Sequence, residues 1–185
     1  MAATPSTMVS LGTPAPTFTL SDVVSGETIS LPQQKGNVAT VIMFICNHCP
    51  YVKHINQALV KLANDYRHNG VSFMAISSND AIKYPDDGPE KMKEVAIHLG
   101  YPFPYLYDET QQVARAFDAA CTPDFFVYDR DLKLAYRGQF DDSRPGNSTA
   151  ATGNDLRQAL DCLLAYKPVS PQQKASMGCN IKWKQ

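Results

Sequence analysis

The chain has 185 residues, of which 44% are hydrophobic and 19% charged, the composition of one globular domain with a full apolar core. Its formal net charge is -1 with acids and bases interspersed, so there is no basic stripe for nucleic acid and no polybasic patch for a membrane; neither partner is expected. Residues 1–8 hold no basic start and no long apolar run, so no secretory signal or membrane span is read, and the protein is expected to be cytoplasmic.

In chain order, residues 1–14 are rich in Ser, Thr, Pro and Ala and read as an N-terminal arm. Phe18-Thr19-Leu20 and Thr28-Ile29-Ser30-Leu31 alternate around Ser25-Gly26, the pattern of a hairpin. The apolar run from Thr40 to Ile45 reads as a buried strand. Val52, Ile55, Leu59, Leu62 and Tyr66 then recur at helical spacing and stop at Asn69-Gly70, with Pro50 tolerated because it lies in the first turn. Val71 to Ser77 reads as a second buried strand. Strand, helix and strand make a right-handed parallel unit, and open sheets place their sites at the carboxyl end of such a first strand. The polar segment from Ser78 to Gly88 leaves the second strand, so it is expected beside that end. Its acids Asp80, Asp86 and Asp87, like Asp141 and Asp142 later, either line the mouth of the site or bind a cation, or are only solvated, the commoner role of acidic loops. A helix carrying Met92, Val95, Ala96 and Leu99 follows, then Tyr105-Leu106-Tyr107 and a short helix over 110–119. Phe125 to Tyr128 and Leu132 to Tyr136 pair as a hairpin around Asp129-Arg130-Asp131. Leu156, Ala159, Leu160, Leu163 and Leu164 give a closing helix, on which Cys162 reads as a small buried hydrophobe. The organisation is an arm (1–14), one α/β domain (15–168) and a tail (169–185) containing Cys179.

The chemistry centres on Cys46-Asn47-His48-Cys49-Pro50, where the first buried strand meets the first long helix. Unpaired N–H groups and the positive end of the helix dipole favour a thiolate there, so Cys46 is expected to titrate below a free cysteine. Two intervening residues let the sulfurs meet across one turn, the spacing of a thioredoxin-like redox pair. A zinc half-site or plain packing would also use two cysteines, but no second C-x-x-C or H-x-x-x-H completes a metal site. Five cysteines, an odd number, argue against a structural disulfide framework. Asn47-His48 resembles the dipeptide of protein disulfide isomerase. An imidazolium beside the thiolate would stabilise the reduced form and make the pair more oxidising than thioredoxin's.

Several stretches together resemble the thioredoxin-like branch of the AhpC/TSA (redoxin) family. They are Phe44 through Val52, Asn79-Asp80 with Tyr84-Pro85-Asp86-Asp87, Phe103 through Asp108, Cys121-Thr122-Pro123-Asp124-Phe125-Phe126, Tyr136-Arg137-Gly138 with Asp141 through Arg144, and Gly178 through Trp183. The resemblance spans Pro14 through Trp183. It implies a thioredoxin fold, a central mixed β-sheet flanked by helices, with an N-terminal β-hairpin and an inserted segment, acting in thiol-disulfide exchange. In such folds a cis-proline faces the C-x-x-C, and Pro123 is the candidate; the Thr122 backbone would then offer an extended peptide a hydrogen-bonding edge. On this reading Cys46 attacks, Cys49 resolves, His48 tunes and Pro123 forms the substrate edge, while Asn47, Pro50, Thr122 and Cys121 contact the substrate. No cofactor or metal is expected. The partners are protein or small-molecule disulfides and an external thiol reductant such as thioredoxin or glutathione.

Two rivals remain at this stage. A peroxiredoxin-like peroxidase carries a Thr or Ser hydroxyl three residues before its reactive cysteine; here Met43 precedes Cys46, so no hydroxyl is expected at the sulfur and peroxidase activity should be weak. Arg137 could supply the guanidinium such a site needs, or be a solvated ion-pair partner. Soft-metal capture of copper by Cys46, Cys49 and His48 is the non-enzymatic rival. Cys179 is either a third exchange thiol or merely exposed, and Cys121 could approach Cys46 or only pack.

Overall fold

In the computed structural model, which describes residues 3–185, the chain opens with a short strand, β1 (Ala3–Pro5). The expected hairpin follows as β2 (Phe18–Ser21) and β3 (Thr28–Leu31), paired antiparallel with Phe18 opposite Leu31. Next come β4 (Ala39–Phe44), α1 (Pro50–Tyr66), β5 (Val71–Ser77), α2 (Pro89–Leu99) and β6 (Tyr105–Tyr107). Then follow α3 (Gln112–Ala116), β7 (Cys121–Thr122), β8 (Asp124–Asp129), β9 (Leu134–Gly138), α4 (Asn154–Leu164) and β10 (Met177–Asn180). The helix expected over 110–119 is shorter. Gln111 enters it with a left-handed φ of 63°, and its side-chain amide donates instead to Ser78 O and Lys182 O at 2.7 and 2.8 Å. A second left-handed residue, Asp118, lies just past its end.

The central sheet runs β6-β5-β4-β8-β9. β4 pairs parallel with β5 and antiparallel with β8, so the sheet is mixed and β4 is interior. All six β4 residues are buried, as a strand covered on both faces requires, and its side chains alternate between two cores. Val41 and Met43 join Leu59 and Leu62 of α1, Met92 of α2 and Leu156 and Leu160 of α4. Ile42 and Phe44 face the other way, into Phe18, Leu31, Met74, Phe117 and Phe126. The helices α1, α2 and α4 thus cover one face, and the hairpin with α3 covers the other. This is the thioredoxin fold with an N-terminal hairpin.

A second, three-stranded sheet joins the two terminal segments, in the order β1-β10-β7. Ala3 lies opposite Cys179 and Thr4 opposite Gly178, while on the other side Cys179 lies opposite Thr122 and Asn180 opposite Cys121. Both ends of the described chain are therefore built around the short strand that precedes Pro123. The Thr122–Pro123 peptide bond is cis, as is Leu31–Pro32. No helix of the described residues is long and apolar enough to cross a membrane.

Candidate active site

The two sulfurs of the C-x-x-C lie where β4 ends and α1 begins. Cys49 is the residue that caps α1, with extended backbone at φ -68° and ψ 123°, and Pro50 opens the helix. Pro at the first helical position costs nothing, since its missing N–H would have had no partner there. Cys46 is 1% exposed and Cys49 fully buried, whereas Asn47 and His48 between them are half-buried. Pro50 is exposed.

Thr122 reaches both sulfurs. Its hydroxyl stands 3.4 Å from Cys46 Sγ, and its carbonyl oxygen is 3.1 Å from Cys49 Sγ, accepting from that sulfur in its thiol form. The expectation that Cys46 lacks a neighbouring hydroxyl is corrected by this contact. Met43 is indeed buried in β4, but the hydroxyl arrives from a strand 76 residues away. Cys179, in β10, brings a third sulfur: its Sγ is 2.9 Å from Cys49 Sγ and it is 3% exposed. The alternative that Cys179 is an exposed thiol is thereby overturned.

Asp87 organises the other side. It ends a single 3-10 turn, Pro85–Asp87, in the polar segment after β5 and is completely buried. Its Oδ1 accepts the backbone N–H groups of Asn47 and His48 at 2.8 and 3.2 Å. Its Oδ2 is 2.5 Å from His48 Nδ1 and accepts from Asn79 Nδ2 at 2.8 Å. Asn79 in turn accepts the Lys182 N–H at 2.8 Å, which ties the cysteine loop to the C-terminal segment. Asn47 is fixed by donating to Asp86 O and accepting from the Tyr105 hydroxyl at 3.1 Å. Tyr84 stacks on His48 with ring planes 7° apart. Reading these acids as solvated holds for Asp86 and Asp142, which are exposed, and fails for Asp80, Asp87 and Asp141, which are buried. Asp141 accepts the Thr152 and Gly153 N–H groups at the start of α4.

The electrostatics divide the pair in an order opposite to the one expected. Cys49 is lowered to about 5, chiefly by the hydrogen bond from Cys46, helped against burial by Cys179, the Val52 N–H and the Thr122 hydroxyl. Cys46 is pushed well above the ordinary thiol range by sharing its proton with Cys49, by burial and by the Asp87 carboxylate. The reason is positional: the helix begins one residue after Cys49, so its free N–H groups serve Cys49, whereas Cys46 sits nearest the carboxylate.

Other residues singled out by sequence lie elsewhere. Arg137 does not reach the sulfurs. It is wholly buried, bonded through Nε to Ser6 Oγ and through Nη2 to Thr7 Oγ1, Asp118 O and Asp124 Oδ2, so it is neither solvated nor a peroxide ligand. Cys121 is adjacent to Thr122 but donates only to Pro123 O at 3.7 Å, and burial pushes its thiol up. It makes no hydrogen bond to Cys46 among the described residues. Cys162 is half-buried rather than buried. Cys46, His48 and Asp87 bring donor atoms within 4.8 Å of one another and are the residues that could hold a metal. Both Asp87 oxygens are already engaged by protein donors, however, so an ion would have to displace them.

A family model described as the AhpC/TSA family matches residues 11–137. A crystal structure titled as an uncharacterized conserved protein from Geobacillus kaustophilus is 61% identical with a TM-score of 0.98, covering 100% of this chain and 97% of that one. A hypothetical protein from Sinorhizobium meliloti is 48% identical with a TM-score of 0.95, covering 98% of each chain. The thioredoxin domain of a thiol-disulfide oxidoreductase from Bacteroides vulgatus shares the fold at 17% identity and a TM-score of 0.63, over 83% of this chain and 99% of that one. No curated protein matches.

Proposed function

The chain belongs to the AhpC/TSA family of thioredoxin-type redox proteins, and on that premise we propose that it is a thiol-disulfide oxidoreductase acting through Cys46 and Cys49 on protein or small-molecule disulfides. The observation that carries this reading is the placement of the two cysteines at the junction of β4 and α1, with Thr122, next to the cis Pro123, reaching both sulfurs. A thiolate is the nucleophile of disulfide exchange, and a resolving thiol within reach completes the cycle. Cys49 is enclosed by Cys46, Thr122 and Cys179. Cys46, which makes no hydrogen bond to Cys179 among the described residues, is taken as the sulfur that attacks an incoming disulfide. The Cys46 proton passes to Cys49 as Cys46 attacks, a mixed disulfide forms, and Cys49 then displaces the substrate thiol to leave Cys46–Cys49. In a reducing cytoplasm an external thiol reductant such as thioredoxin or glutathione returns the pair to the dithiol.

The Thr122 hydroxyl beside Cys46 favours one competing reading, a thiol peroxidase. Against it stands the placement of Arg137. Developing charge on a peroxide oxygen needs a donor aimed at it, and lacking one costs about a hundredfold in rate. Side-by-side assays separate the two. Insulin or a glutathione mixed disulfide should be turned over by the wild type with an external reductant, at background rate by Cys46→Ser, while peroxide is consumed slowly. Fast Cys46-dependent peroxide consumption without disulfide turnover would replace the oxidoreductase with a peroxidase.

A further inference from the structure

The edge that the reading above assigns to an incoming peptide is already occupied by the chain itself. β10 lies antiparallel along β7 with Cys179 opposite Thr122, an extended segment carrying a cysteine, as an extended substrate would be held. Gly178 is what permits the approach, because a Cβ there would stand 2.0 Å from the Thr122 carbonyl oxygen. The segment is fastened on both sides of Cys179. Ser176 Oγ donates to Pro123 O at 2.6 Å, the Ser6 N–H donates to Ser176 O at 2.9 Å, and the Lys182 N–H reaches Asn79 Oδ1 at 2.8 Å. These anchors hold the Cys179 sulfur against Cys49, while Cys121, one residue before Thr122, has its sulfur turned to Pro123 O.

We propose that Cys179 is a third redox thiol that takes over the disulfide from Cys46–Cys49 by attacking Cys49, so that the oxidised protein holds a Cys49–Cys179 bond and regains Cys46 as a free thiol. The inference rests on the thiol-disulfide reading of the site. In the step itself the Cys179 thiolate attacks Cys49 Sγ, the Cys49–Cys179 bond forms as Cys46–Cys49 breaks, and the electron pair leaves with Cys46, which takes up the proton Cys179 has released. The exchange is redox-neutral. Its oxidising equivalents entered earlier from the substrate disulfide, which departs as two thiols. Cys49 is the crossing point because it alone among the described cysteines hydrogen-bonds to both other sulfurs. In the reduced protein, burial and then the hydrogen bond and charge of Cys49 hold the Cys179 thiol up at about 12. The two contributions from Cys49 end once that sulfur is in a disulfide, so Cys179 becomes easier to ionise at the stage when it must attack.

The test uses the full chain. Cys46→Ser protein is oxidised with glutathione disulfide, its remaining thiols are blocked, and it is digested without reduction for peptide mass spectrometry. A peptide containing Cys49 cross-linked to one containing Cys179 is expected, and it should disappear in Cys46→Ser/Cys179→Ser. The same cross-link is expected in a share of the oxidised wild type and should be lost in Cys179→Ser. Its absence from both Cys46→Ser and wild type, each with native circular dichroism, overturns the proposal. Insulin turnover measured in parallel keeps the two readings apart. Turnover without the cross-link defeats the third thiol alone, whereas the cross-link without turnover supports the third thiol and defeats the oxidoreductase.

Discussion

Asp87 and Asp124 are both carboxylates without solvent exposure, and each is paired with a base, yet they serve different ends of the molecule. Asp124 meets Arg137 at 3.1 Å, with both side chains wholly buried. The guanidinium lies 4.3 Å over the Phe126 ring and gathers in Ser6, Thr7 and Asp118. That centre ties the N-terminal segment to the sheet. Asp87 meets His48 at 2.5 Å, and its partners are the backbone and side chain of the cysteine loop. The first pair is a joint within the core, and the second sets a carboxylate beside the sulfurs. Burial of a charge pair does not by itself indicate function; what it faces does.

The comparison is tested first where the effect is largest. Arg137→Met leaves Asp124 buried without its cation, whose carboxyl is already raised by burial. Removing one partner of a buried pair costs about 3–5 kcal/mol, and chemical denaturation should show a loss of that size with the reduction potential unmoved. Asp124→Leu/Arg137→Met should recover most of it. A shifted potential would place Arg137 in the redox machinery after all.

Asp87→Asn comes next, with a stability loss of about 1–3 kcal/mol from weakened buried hydrogen bonds and a redox signature that Arg137→Met lacks. In the wild type, thiolate absorbance should rise with one midpoint near 5 and a second far above the usual thiol range. The sign follows from the charge: deleting the carboxylate removes repulsion at Cys46, so the upper midpoint moves down. Because the folded value of Cys49 is depressed, its contribution to the stability of the reduced protein is complete above the unfolded thiol's range, about 8.5. It is lost as pH falls toward 5. The absence of any thiolate midpoint near 5 would overturn this division of the pair.

The smallest effect is expected from His48→Ala. It removes the side chain that pairs with Asp87 beside the sulfurs, destabilises the thiolate form and makes the protein more reducing, by about 30 mV for a one-decade change in the exchange equilibrium. An unchanged potential against glutathione would confine His48 to holding the loop.

What could be read from the sequence was short-range. The alternation of the hairpin strands, the helical spacing from Val52 to Tyr66 and the C-x-x-C at the strand–helix junction are all local patterns, and the fold realises them. Asp87 was only partly legible: it could be named among acids able to line the mouth, but Asp86-Asp87-Gly88 has the composition of a solvated turn and only one of its two acids is buried. The hint was positional: the segment leaves the carboxyl end of β5, next to β4. The Thr122 hydroxyl was hidden for the same reason, since the motif that looks for one three residues upstream of Cys46 cannot see a side chain supplied through another strand. Cys179 lacked any periodic context, and only the flanking Gly178 signalled a close backbone approach. Arg137 shows the converse. Its residue type suggested a peroxide site, but its place at the end of β9 turned it toward Ser6 and Thr7.

The sheet that unites β1, β10 and β7 also sets an order of assembly. Cys46 and Cys49 belong to one loop and meet as soon as β4 and α1 form, but 130 residues separate Cys49 from Cys179. Closing so long a loop costs entropy before any contact repays it, so long-range strand pairings of this kind come late in folding. In a half-folded chain the local pair is the one already close in sequence. A bond from Cys49 to Cys179 is open only to a chain whose β10 has found β7, and so would serve as a chemical record that this late pairing had been made.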